Sequence, residues 1–153
     1  MRDQISAALK EALKNQDKRR IATLRLINAA IQDRDITLRG KGKDRADEEE
    51  VLDILTRMVK QREESSALYR SGGRPELEKQ ELEEIEIIRE FMPRQLDEGE
   101  TKQAVSEAIS ETGASSLRDM GKVMSWLKDR YRGQLDMAAS SKLIKTQLAE
   151  QKG

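Results

Sequence analysis

Residues 91–100 read FMPRQLDEGE, and this stretch divides the chain. Pro93 disfavours helical backbone at the residue before it, so a helix that arrives from the N-terminal side should end here. Shortly afterwards, Asp97 and Glu100 have the spacing of a capping box, which is the signature of a new helix. The stretch therefore predicts an N-terminal domain of residues 1–93 and a tail domain of residues 94–153.

On the N-terminal side, aliphatic residues recur at spacings of three and four, the period of an amphipathic helix. Caps and breakers divide the pattern into about four helices. These punctuating residues are Asp17, Gly40, Gly42, Asp47, Gly72, Gly73 and Pro75. The predicted core positions include Leu24, Ile27, Ile31, Val51, Leu55, Met58, Leu77, Leu82, Ile85 and Ile88. The basic segment 39–45 has no aliphatic residue and is expected to be a mobile loop.

The tail pattern predicts three short helices. The first ends at Gly113, the second runs to Gly133, and Asp136 caps the third. Their predicted core positions are Ala104, Val105, Ala108, Ile109, Leu117, Met120, Met124, Leu127, Tyr131, Ile144 and Leu148. The fold class is therefore all-α, with an N-terminal helical domain of about four helices followed by a three-helix tail bundle.

Composition agrees with helices and restricts the possible chemistry. Charged residues make up 38% of the 153-residue chain and aromatic residues 3%, which favours aliphatic helical bundles over sheets. The chain has no cysteine and no histidine, which excludes disulfides, thiolate zinc sites and Ser-His or Cys-His nucleophiles. Its glycine pairs lack the strand–loop–helix context of a phosphate cradle. We therefore expect no catalytic residue, no cofactor and no metal.

The search for targeting signals gives an expectation about location. No apolar run reaches the length of a membrane span, and the first residues show no signal core. These features predict a cytoplasmic protein with no membrane association.

Charge is unevenly distributed although the formal net charge is zero. Residues 1–45 carry a net charge of +6, residues 46–96 carry −6, and residues 97–153 are balanced. In the second tail helix, a polar strip opposite the core face consists of Arg118, Lys122, Ser125, Asp129 and Arg132. Lys142 and Lys145 of the last helix extend its cations. Such a strip is either a solvated helix face or a surface that meets nucleic-acid phosphates.

Two residues near this strip need a further explanation. Gly121 weakens a helix relative to alanine, so a close packing contact, or else a close ligand, is expected there. Trp126 lies beside the core stripe, which indicates a domain contact or a stacking surface for a partner.

Four segments together resemble the YqeY-like family, and they are spread over nearly the whole chain. They are Ile21–Ile27 (IATLRLI), Lys60–Glu64 (KQREE), Phe91–Leu96 (FMPRQL) and Asp119–Met124 (DMGKVM). The C-terminal part of this family is shared with the tail domain of the B subunit of tRNA-dependent amidotransferases. The resemblance implies an all-α fold and a link to tRNA, with amidation performed by parts that this chain lacks. The chain departs from the family pattern at one turn. The family has a basic residue and then Asp-Gly after the glycine at 133. Here Gln134 replaces the basic residue and Met137 replaces the second glycine, while Asp136 is kept, which weakens any phosphate contact at this turn.

Three functions remain open at this stage. The first is a non-catalytic accessory protein that binds tRNA through Arg118, Lys122, Arg132, Lys142 and Lys145. The second is a helical adaptor for a protein partner, such as the aminoacylation or amidation machinery. The third and least favoured is a carbon-nitrogen ligase with glutamine as amido donor, for which the chain offers no activated nucleophile.

Overall fold

A computed structural model describes residues 1–151, with side chains as far as Glu150. This part of the chain is all-α, as predicted. The helices are α1 (Arg2–Lys14), α2 (Lys18–Gly40), α3 (Glu48–Ser71), α4 (Pro75–Arg89), α5 (Glu98–Thr112), α6 (Met120–Arg130) and α7 (Met137–Gln151). A short 3₁₀ turn, Leu117–Asp119, precedes α6.

Contacts divide the chain into two compact units. The N-terminal unit is Met1–Met92 and contains α1 to α4, and the tail unit begins at Pro93 and contains α5 to α7. Each unit has its own cluster of buried aliphatic side chains. Each is described below by itself.

Three helices begin where the aspartates predict. The Asp17 carboxylate accepts a hydrogen bond from the Arg20 amide at 3.2 Å, and Asp47 accepts one from Glu50 at 2.9 Å. Asp97 and Glu100 form the expected capping box, each side chain accepting from the other residue's amide, at 2.7 and 3.1 Å. Amide groups that lack partners in the first helical turn are thereby satisfied.

The core of the N-terminal unit follows the predicted pattern except at Leu77 and Leu82 of α4, which are not among its buried residues. It includes Leu24, Ile27, Ile31, Val51, Leu55, Ile85 and Ile88. Leu82, predicted for this core, is 42% exposed. It lies at the edge of the buried face of α4, which is centred on Ile85 and Ile88.

The end of the segment between α2 and α3 is held by hydrogen bonds that its composition does not predict. Ala46 is buried, and its amide donates to the Asp35 carboxylate at 2.8 Å. Arg2 donates to both Asp35 oxygens at 2.6 and 3.0 Å and to the Ala46 carbonyl at 3.0 Å. The start of α1, the C-terminal part of α2 and the loop end are thus tied together.

The tail core differs from the prediction in the second of its helices. Val123 and Leu127 are the buried residues of α6, whereas Leu117 is 56% exposed. Leu117 lies in the 3₁₀ turn, which has three residues per turn instead of 3.6, so the side-chain register changes before α6 begins. At the end of α5, Gly113 adopts the left-handed conformation, with φ of 68°, that the predicted helix end requires.

Candidate nucleic-acid interface

Residues 97–153 carry no net charge, but their acidic and basic residues are separated along the chain. Residues 97–112, which include α5, have five acidic residues and one lysine. Residues 113–150 have seven Lys or Arg and four Asp or Glu. The basic charge of the tail therefore belongs to the 3₁₀ turn, α6 and α7.

Four of the five predicted cations are exposed. Arg118 lies in the 3₁₀ turn and Lys122 in the first turn of α6. Lys142 and Lys145 lie about one turn apart on α7, which buries Ile144 against the tail core. The two lysines are therefore on the solvent side of α7.

The predicted strip along a single helix is interrupted. α6 ends at Arg130, so Arg118 precedes this helix and Arg132 follows it. Arg132 is half-buried and interacts with another group of the chain. It is therefore less available to a ligand than the other four predicted cations.

The two pairs of exposed cations have different electrostatic surroundings. Arg118 and Lys122 lie close to Asp119, whose carboxylate accepts hydrogen bonds from the Ser115 and Ser116 amides at 2.9 and 3.4 Å. The Ser115 bond is the main reason why the pKa of Asp119 lies below its usual range, and the nearby cations lower it further. Within the described residues, neither Lys142 nor Lys145 forms an ion pair.

The departure at Gln134 has a structural explanation. The Gln134 side-chain amide donates to the Arg94 backbone carbonyl at 3.1 Å, and the Gln134 backbone carbonyl accepts from the Leu96 amide at 2.9 Å. The Gln95 side chain donates to the Gly133 carbonyl at 2.5 Å. An amide at position 134 therefore joins this turn to residues 94–96 and does not point to a phosphate ligand.

Gly121 is exposed, and a Cβ atom built on it would meet no atom within 4 Å beyond its chain neighbours and the backbone of its own helix. The prediction of a close packing contact at this position is thus wrong. The missing side chain instead leaves helix backbone open to solvent beside Lys122. A large ligand group can approach such backbone more closely than it could approach any other residue.

Trp126 packs against the tail core and is half-buried. The Arg130 guanidinium lies 4.9 Å from the centre of the indole, a cation–π distance, and the Tyr131 ring lies 6.4 Å away. These contacts give Trp126 a structural role within the tail unit.

Two glutamates of the N-terminal unit form ion pairs with arginines. A carboxylate that binds a metal ion would have to be free of such a partner. Glu84 pairs with Arg62 at 3.0 Å and Glu90 with Arg20 at 2.5 Å. Within the described residues, no cluster of three or more acidic groups is arranged to hold a metal ion. In the same part of the chain, no helix has both the length and the apolarity needed to span a membrane.

The comparison with protein families decides where this architecture belongs. The model of the family described as "Yqey-like protein" matches residues 2–148, almost the whole chain. The chain belongs to the YqeY-like family. The resemblance seen in the four sequence segments is thereby confirmed.

Curated relatives carry one name in two yeasts, "Altered inheritance of mitochondria protein 41, mitochondrial". The Lachancea thermotolerans protein is 28% identical over 149 residues, which cover 94% of this chain and 76% of that relative. A Saccharomyces cerevisiae protein is 30% identical over 84 residues, covering 55% of this chain and 44% of the relative. The match to the second relative thus spans less than half of its length.

The predicted cytoplasmic location is wrong, because these relatives are named as mitochondrial proteins. The prediction depended on the lack of a signal core and of an apolar span. Neither feature distinguishes one aqueous compartment from another.

Proposed function

We propose that this YqeY-like protein is a non-catalytic accessory protein whose tail unit binds the body of tRNA, in support of tRNA aminoacylation or amidation. The binding surface is formed by Arg118, Lys122, Lys142 and Lys145, with Arg132 at its border. The observation that carries the proposal is that Lys142 and Lys145 are exposed on one face of α7 without a carboxylate partner among the described residues.

Exposed lysines without acidic partners favour phosphate binding for a physical reason. A lysine in an ion pair must leave that partner before it meets a phosphate, whereas a solvated lysine displaces only the counterions of the nucleic acid. The released counterions provide the driving force and make the affinity depend on salt. The family's shared tail domain supports tRNA as the nucleic acid, because the amidotransferase B subunit acts on tRNA.

Gly121 supports the same surface independently of charge. It exposes helix backbone next to Lys122 and has no packing role within the tail. Close approach of a phosphate to backbone amides is a common use of glycine in such positions. A bulky polyanion would thus contact both the lysine and the open backbone.

The carboxylates whose pKa values are lowered have structural roles, which supports a non-catalytic protein. Without histidine or cysteine, a carboxylate would be the usual proton-transfer group. The pKa values of Asp35, Glu100 and Asp119 lie below the usual range because of ion pairs and amide hydrogen bonds that also fix the fold. Production of Gln-tRNA from Glu-tRNA and glutamine by this chain alone would instead support the ligase alternative.

The experiment is the binding of purified full-length protein to total tRNA across a salt series. We expect the Lys142→Ala/Lys145→Ala variant to bind more weakly at every salt concentration. Removal of one lysine–phosphate interaction should reduce the slope of log affinity against log salt by about 0.9, so the slope of the double variant should fall by roughly 2.

The matched control is Lys10→Ala/Lys14→Ala, which removes two exposed lysines from α1 of the N-terminal unit. This variant should keep the parent's slope. If the slope falls equally in both double variants, binding depends on total charge and the tail surface is wrong. If the parent does not bind tRNA at low salt, the proposed function itself is wrong.

A further inference from the structure

One face of α2 is apolar but has no partner in the N-terminal unit. It consists of Ala22, Leu26, Ala29 and Ile36, all exposed, with Leu26 at 50% and Ile36 at 64%. The opposite face of α2 supplies buried residues to the core. Ala22, Ala29 and Ile36 are seven residues apart, so they share a line along the helix. We call these four residues the α2 stripe.

Two opposite charges flank the α2 stripe. Arg25 lies four residues before Ala29, and Asp33 lies four residues after it; both are exposed. Neither forms a side-chain ion pair within the described part of the chain. By contrast, three other arginines of α2 do have glutamate partners. These pairs are Arg19–Glu83, Arg20–Glu90 and Arg34–Glu50.

We propose that the α2 stripe binds the α2 stripe of a second copy of this chain, with the two helices antiparallel and Ala29 at the two-fold axis. In this arrangement Ala22 of each copy faces Ile36 of the other. Arg25 of each copy faces Asp33 of the other, so one contact is repeated twice with opposite charges. A parallel arrangement would place Arg25 against Arg25 and is disfavoured.

The residues at the centre and ends fit such a contact. Alanine at the two-fold axis lets the helix axes approach to about 8 Å, the short end of helix packing. From Ala22 to Ile36 the stripe rises about 21 Å along the helix. This is a small area by the standard of permanent dimers, so the dimer is weak, with a dissociation constant in the range of roughly 1 µM to 1 mM.

The test is sedimentation equilibrium of the full chain over this concentration range, with a charge exchange at the two flanking positions. Arg25→Asp alone and Asp33→Arg alone each place like charges opposite each other. We expect each to weaken the dimer about tenfold or more. An equimolar mixture of the two variants restores both opposite-charge contacts, so the mixture should associate more tightly than either variant alone.

Lys79→Asp is the control, because it changes the charge by the same amount on an exposed site of α4. It should associate like the parent. Far-ultraviolet circular dichroism of all variants checks that helix content is unchanged. The antiparallel pairing is overturned if the single variants keep the parent's dissociation constant. It is also overturned if the mixture of the two variants stays monomeric.

A second measurement tests the position of the two-fold axis. The chain has no cysteine, so Ala29→Cys introduces a single thiol. Mild oxidation should crosslink Ala29→Cys into a covalent dimer. Ile36→Cys alone should form no crosslink, but it should crosslink when it is mixed with Ala22→Cys. Parent protein that is monomeric at every concentration, with no Ala29→Cys crosslink, overturns self-association and leaves the stripe for a helix of another protein.

Discussion

Two sets of basic residues, one in each unit of this YqeY-like protein, have different roles. In the N-terminal unit, arginines bridge helices: Arg2 pairs with Asp35 across α1 and α2, and Arg62 pairs with Glu84 across α3 and α4. In the tail unit, Lys142 and Lys145 point to solvent without an ion pair in the described residues. Arg2 and Arg62 therefore stabilise the fold of the N-terminal unit, whereas the two tail lysines are available to a ligand.

The difference shows why the net charge of a segment is a poor guide to its binding surface. Residues 1–45 have the largest basic excess of the chain, +6, but residues 46–96 carry −6 and supply glutamate partners to Arg19, Arg20 and Arg34. The tail is balanced overall, and its excess appears only when α5 is separated from the 3₁₀ turn, α6 and α7. Pairing in three dimensions decides which cations are available.

The largest expected effect would come from breaking the Arg62–Glu84 pair. Both side chains are only 13% exposed, and Arg62 also donates to the Met58 carbonyl. Arg62→Met should lower the free energy of unfolding by about 3 kcal/mol, because it leaves the Glu84 carboxylate buried without a cation. Urea unfolding of the parent and the variant at neutral pH measures this difference.

The control for that prediction removes the second charge as well. Arg62→Met/Glu84→Leu should recover much of the stability, since two apolar side chains replace the buried pair. A single variant as stable as the parent would show that this pair does not stabilise the N-terminal unit, and the comparison between the units would fail there.

A smaller and pH-dependent effect is expected at Asp35. Arg2, and then the Ala46 amide, lower the pKa of Asp35 from 3.8 to about 2. Because the folded pKa lies below the unfolded one, Asp35 contributes stability above this window and loses it as the pH falls from 3.8 towards 2. Asp35→Asn should cost about 2 kcal/mol at neutral pH.

The measurement is unfolding of the parent and Asp35→Asn at pH values above and within that window. The difference between them should shrink as the solution becomes acidic. A difference that stays constant from neutral to acidic pH would contradict the assignment of this stability to the ionised Asp35 carboxylate.

The smallest effect on stability is expected at Gly121 in the tail, and its sign is opposite. Alanine fits without a contact inside 4 Å and favours the helix, so Gly121→Ala should stabilise the tail unit by about 0.5 kcal/mol. If a phosphate approaches this backbone, the same variant should bind tRNA more weakly. Equal or tighter tRNA binding by Gly121→Ala would remove Gly121 from the proposed surface.

Much of the fold was predictable because the decisive signals are local. Asp17, Asp47 and Asp97 cap the helices that they predict, and Gly113 ends α5 with a positive φ. Each signal acts within a few residues of itself, so it can be recognised in the sequence.

Features that depend on distant residues were not predictable. The partners Arg2 and Asp35 are 33 residues apart, and no local pattern links them. Leu117 kept the helical spacing in the sequence, but the 3₁₀ turn shifted the register and left it exposed. The candidate site was recognised as a set of cations, whereas the hydrogen bonds that the Asp119 carboxylate accepts from the Ser115 and Ser116 amides became visible only in the structure.

The most direct test of the comparison is to reverse the same amount of charge in each unit and measure tRNA binding. Lys142→Glu/Lys145→Glu changes the tail, and Lys10→Glu/Lys14→Glu changes exposed lysines of α1. We expect the tail variant to lose saturable binding to total tRNA, while its helix content and unfolding free energy stay close to those of the parent. We expect the α1 variant to bind tRNA like the parent. Loss of binding by the α1 variant with an unaffected tail variant would contradict this expectation.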